Sequence, residues 1–203
     1  MTGRPLRLED IEDARAYERE RESLRSAVIE LKKKRRVSVG PVVTLLFENR
    51  ETIRFQIQEM ARAERLHTDQ AIQIELDTYN PLIPGAGELS ASLFIELTNR
   101  EEMDHWLARL VGIERAIRLE ISPLEDGSGP DVVSAVVDEA HAANLTREER
   151  TAAVHFVRFE LTPLQVERFR VGRVAVAVEH PEYRERTELT SVTRDSLSAD
   201  LLG

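Results

Sequence analysis

Two copies of one spacing, Glu64-x-x-His67 and Glu102-x-x-His105, set a carboxylate and an imidazole one helical turn apart. Carboxylate-bridged di-iron bundles use this spacing on two of their four helices. The second copy fails on geometry. With Met103 as zero, Trp106, Leu107 and Leu110 fall within about 60° on a helical projection, whereas His105 points about 160° away, toward water. Short helices alternating with strands also cannot supply the core of a four-helix bundle. No metal and no cofactor are expected.

A second grouping is Glu64, His155 and Arg158. Glu64 continues the apolar stripe of Ile53, Ile57 and Met60, and a carboxylate on that stripe needs a partner unless the helix has frayed there. His155 shares a strand face with Ala153, Val157, Phe159 and Leu161, the setting of a satisfied core histidine as much as of a base. An acid/base site for a small molecule would gather these three near the start of the helix after Asn49, whose amide groups suit an anion. A third grouping is the cationic run Lys32, Lys33, Lys34, Arg35 and Arg36. It complements the dipole of the helix it closes, and it also offers a docking patch for an acidic protein partner.

Other chemistry is absent from the sequence. No Gly-rich phosphate loop follows a strand, because the GAG at 85–87 precedes one, and no nucleophile elbow is present. Asp138-x-x-His141 matches no recognised metal spacing. With no cysteine among 203 residues, disulfides, thiolate catalysis and iron–sulfur ligation by this chain are excluded. A net charge of −9 and aromatics at 5% argue against nucleic acid as a partner. No stretch approaches the roughly 20 apolar residues of a membrane span, and the N-terminus lacks the apolar core of a secretion signal, so a cytoplasmic protein is expected.

The elements that must position these residues are organised around 42–66. Val42, Val43, Leu45, Leu46 and Phe47 lack alternation, which suits a central strand covered on both faces. Asn49 caps the helix that follows, with Ile53, Ile57, Met60 and Ala61 on one side, Phe55 and Leu66 on the other, and Arg54, Gln58 and Arg65 facing water. Helical spacing covers 8–36, with a break near Tyr17, and Leu24, Ala27, Val28 and Leu31 lie on its apolar face. Further helices are expected from Thr68 to Tyr79, from a capping box at Thr98 and Glu101 to Gly112, from a second box at Thr162 and Gln165, and over 191–202.

Strands are expected at Glu88–Glu96, Ala116–Ile121, Asp131–Asp138, Thr151–Leu161 and Arg173–His180, the turn containing DGSGP making a hairpin of the second and third of these. The segment EAHAANLTREER gives no clear pattern. The whole of 1–203 then forms one α+β domain: an N-terminal helical segment (8–36), a core (37–180) with a mixed six-stranded sheet and helices packed on it, and a C-terminal tail (181–203) with a short helix.

The stretches FENRETIRFQIQEMARAER, DTYNPLIP and AVHFVRFELT, with HPEY and RTELT, resemble a bacterial family classed as a domain of unknown function, over nearly the whole chain. The resemblance supplies no catalytic residue. It implies a gene neighbourhood that includes rubrerythrin and an iron–sulfur protein related to heterodisulfide reductase subunits, and hence a place in peroxide or redox metabolism. Together these readings favour a non-enzymatic accessory protein that binds a redox partner through Lys32 to Arg36. The alternative is an enzyme built on Glu64, His155 and Arg158.

Overall fold

Leu45 and Phe47 have no exposed surface, Leu46 only 4%, and the strand that carries them (β2, Val43–Glu48) is buried along its entire length. The computed structural model describes residues 3–122, 129–137 and 150–203. Strand β2 pairs antiparallel on one side with β1 (Arg36–Val39) and on the other with β3 (Glu88–Ile95), which in turn pairs with β6 (Val154–Glu160). A second antiparallel sheet runs β5-β4-β7-β8, with β4 at Ile117–Ser122, β5 at Asp131–Ser134, β7 at Arg173–His180 and β8 at Tyr183–Glu188.

The expected α+β class holds, with a correction to the sheet: among the described residues there are two antiparallel sheets of four strands in place of one mixed six-stranded sheet. The two added strands have physical reasons. Arg36-Val37-Ser38-Val39 alternates exposed and buried residues, a period-2 signal hidden in the sequence by the adjacent helix. Tyr183–Glu188 buries only Tyr183 fully, so its sequence carries almost no apolar alternation.

The odd-numbered residues of the first sheet, among them Val37, Leu45, Phe47, Leu93, Val157 and Phe159, meet Ile117, Leu119, Val174 and Val176 of the second in one apolar core. The sheets also meet at both flanks. On one, the Thr187 hydroxyl donates to the Ser38 carbonyl (2.9 Å) and the Tyr183 hydroxyl to the Val39 carbonyl (2.7 Å). On the other, Val136, just beyond β5, exchanges two backbone hydrogen bonds with Arg158 of β6 (2.7 and 2.9 Å).

Helices occupy the outside. Asp13 caps α1 (Ala14–Lys33) by accepting from the amides of Arg15 and Ala16, so the expected helix over 8–36 resolves into a short 3-10 turn at Leu8–Asp10 and this shorter α-helix. Asn49 caps α2 (Arg50–Glu64) and Thr68 caps α3 (Asp69–Tyr79). Helix α4 (Arg100–Arg109) is capped by Asn99, one residue past the expected Thr98, whose amide and hydroxyl donate instead to Glu102. The Thr162–Gln165 box opens α5 (Pro163–Val171), and α6 (Ser191–Leu202) ends the fold. Ile53, Ile57 and Leu76 form a second small core with Leu6 and Ile83. Most of the DGSGP turn, the Asp138-x-x-His141 spacing and all but the last residue of EAHAANLTREER lie outside the described residues.

Candidate functional site

Helices α1 and α2 run antiparallel. Tyr17 and Arg21, early in α1, reach Glu59 late in α2: the Tyr17 hydroxyl donates at 2.7 Å, and Arg21 donates through Nε and Nη2 at 2.7 and 2.8 Å. The Arg21 guanidinium, helped by the Tyr17 hydroxyl, holds the Glu59 carboxyl down at about 2 despite its partial burial. At the other end Lys32 stands over the Phe55 ring, 6.0 Å from its centroid. Between these ends lies a groove of about 150 Å³ lined by Leu24, Ala27, Val28, Leu31, Arg54 and Phe55, among others. Gln58, expected to face water, is instead buried and trades hydrogen bonds with the backbone of Glu12 at 3.0 and 2.9 Å.

The cationic run divides here. Lys32 is half-buried over Phe55, and Lys33 and Lys34 are exposed; Lys33 pairs with Glu30. Arg36 opens β1, pairs with Glu96 and lies over the Phe94 ring. Arg35 turns inward, 1% exposed. Its Nε donates to the Phe47 carbonyl (2.8 Å), its Nη2 to the Glu48 carbonyl (3.0 Å) and to the Asp200 carboxylate, and its Nη1 to Ser196 (3.3 Å). Burial pushes the Asp200 carboxyl up, while Arg35 and Asn49 pull it down. Arg35 is thus a clamp within the fold, and the surface patch is Lys32, Lys33, Lys34 and Arg36. Beside the clamp, the buried Glu48 carboxylate accepts from the hydroxyls of Thr52 (2.5 Å) and Ser92 (2.7 Å).

The structure does not bring Glu64, His155 and Arg158 together. Glu64 ends α2 and is exposed. His155 and Arg158 lie on opposite faces of β6, because they are an odd number of residues apart. Arg158 is occupied by Glu88 at 2.8 Å and the Pro81 carbonyl. His67 and His105 are exposed, His105 lying edge-on to Trp106. Among the described residues, no three His, Asp or Glu side chains form a group able to hold a metal ion.

His155 has companions that the sequence did not suggest. It is 1% exposed, Glu114 is 2% and Thr151 is 3%. Its Nε2 lies 3.0 Å from the Ala152 carbonyl and 2.8 Å from the Thr151 hydroxyl oxygen. A carbonyl only accepts, so the contact with Ala152 assigns the proton of the neutral ring to Nε2. A base able to activate Thr151 would need that nitrogen bare, which removes nucleophile activation from what this trio can do. Nothing in the sequence marks Glu114: it sits in a 3-10 turn, Ile113–Arg115, entered through Gly112 in a left-handed conformation.

A model of the family described as Protein of unknown function (DUF3501) matches residues 5–201. No curated protein matches. Among solved structures, the chain is similar to a crystal structure from Burkholderia pseudomallei titled as a novel protein of unknown function. The two are 36% identical with a TM-score of 0.86, over 98% of this chain and 100% of that one. With a relative of that identity sharing the fold over its full length and a family model spanning all but the ends, the chain belongs to the DUF3501 family.

Proposed function

We propose that this chain is a non-enzymatic accessory protein that seats an acidic, amphipathic helix of a protein partner in the groove between α1 and α2. The observation that carries the reading is the pairing of an apolar floor (Leu24, Val28, Leu31, Phe55) with cations at one end (Lys32 over the Phe55 ring, Arg54 beside Glu51, then Lys33 and Lys34) in a chain of net charge −9. Helix-in-groove recognition uses such a floor for anchors at i, i+3, i+4 and i+7. Exposed cations at its rim speed encounter with an acidic segment and fix its direction. The partner's place in a peroxide or redox system is supported by the gene neighbourhood that the family resemblance implies.

The test uses this chain with a purified rubrerythrin and an iron–sulfur protein related to heterodisulfide reductase subunits, the partners that the family resemblance implies, reading association and dissociation rates at two salt concentrations. Reversing Lys32, Lys33 and Lys34 to Glu is expected to slow association and to reduce its salt dependence. Ala27→Arg, which fills the groove, is expected to speed dissociation, with the circular dichroism of both variants unchanged. Rates unaffected by both variants would overturn the groove, and binding to neither protein would overturn the redox partner.

A further inference from the structure

Glu114 Oε2 and His155 Nδ1 face each other at 3.9 Å, too far for a hydrogen bond, and both atoms are buried without a partner. With Nε2 holding the proton of the neutral ring, Nδ1 presents a lone pair to a carboxylate oxygen: two acceptors with no donor between them. Buried polar atoms are almost always satisfied, so a facing pair of orphans needs a reason. Here the missing element is one proton.

The geometry points to Glu114 and His155 as a buried latch that closes when one proton enters between them. Uptake converts His155 to imidazolium, whose Nδ1–H donates to Glu114 Oε2. The new ion pair joins the turn ahead of β4, in the second sheet, to edge strand β6 of the first. A cation, Arg115, stands beside the pair on Glu114's own turn. Opposite His155 on β3 is Leu93, the contact from α4 is the Leu107 carbonyl accepting from the Thr151 amide, and the other Glu114 oxygen lies 3.7 Å from Arg115. Burial holds the His155 imidazole below the ordinary histidine range, with Glu114 opposing that shift, so the latch closes only on acidification below about pH 6.5.

The test is a nitrogen-15 histidine titration of the whole chain by NMR, with His155→Gln assigning the signal. The expected result is a neutral ring protonated on Nε2 at pH 8 and a protonation midpoint below 6.5. In Glu114→Gln the midpoint is expected to fall by a further pH unit or so, about tenfold in affinity for the proton, because the supporting charge is gone. Glu114→Asp should lie between. Should Glu114→Gln fail to fold, the wild-type tautomer and midpoint decide alone. A ring protonated on Nδ1 at pH 8, a midpoint at or above 6.5, or a Glu114→Gln midpoint equal to the wild type would overturn the latch.

Discussion

The Arg35 guanidinium and the Asp200 carboxylate, 165 residues apart in the chain, form an ion pair in which the side chains are 1% and 5% exposed. That pair, with the two carbonyls Arg35 also satisfies, locks the end of α1, the end of β2 and the C-terminal helix to one point. Removing one member leaves the other charged and buried, which costs about 3–5 kcal/mol. Arg35→Met is therefore expected to lower the unfolding free energy by that amount, and adding Asp200→Leu to recover part of it. Denaturant unfolding measures both; a loss under about 1 kcal/mol for Arg35→Met would contradict the clamp.

Amide exchange should be slowest in β2 and β3, which are paired on both sides and covered on both faces. Interior strands of this kind open only with the whole fold. Exchange in Leu45 to Phe47 faster than in the edge strand β8 would reject that placement.

Glu59 ties the far end of the α1–α2 pair, and its carboxyl is held at about 2, chiefly by Arg21. Since its folded value lies below its unfolded one, its contribution is present above the unfolded value near 4.3 and is lost as pH falls toward 2. Discounted for partial exposure, this contribution is on the order of 2 kcal/mol. Comparison of wild type with Glu59→Gln by urea unfolding at pH 6 and pH 2.5 should show a wild-type advantage at pH 6 that shrinks severalfold by pH 2.5, where the folded carboxyl has begun to titrate.

Gly40 turns the chain from β1 to β2 with φ at 73°, and a Cβ there would collide with the Glu185 side chain and the Tyr183 hydroxyl. Gly40→Ala meets both left-handed strain and the packing of β8, so a loss above about 1 kcal/mol is expected. A melting temperature equal to wild type would show that this turn can relax.

The legible part of this fold was what local pattern dictates. The strand β2 with its run of apolar residues lacking alternation, the Asn49 and Thr68 caps and the Thr162–Gln165 box stand where the sequence places them. Met103 shows the limit: helical phase assigned it to the buried stripe, yet it is 39% exposed, because α4 buries chiefly Leu107. Arg35 shows another, since five adjacent cations look alike until strand β1 turns one of them inward. The facing of Glu114 and His155 was invisible for the same reason: it depends on how the turn ahead of β4 meets β6, a long-range relation with no local signal.

The two flanks where the sheets meet also bear on solubility and on how other molecules can engage the chain. Each described edge strand is approached by the opposite sheet: β1 by β8 through Thr187 and Tyr183, and β6 by the continuation of β5 through Val136. Unpaired strand edges template aggregation and admit peptides that add as an extra strand. With these edges turned toward each other at those points, the fold leaves less open strand edge to template edge-to-edge assembly or to admit an added strand.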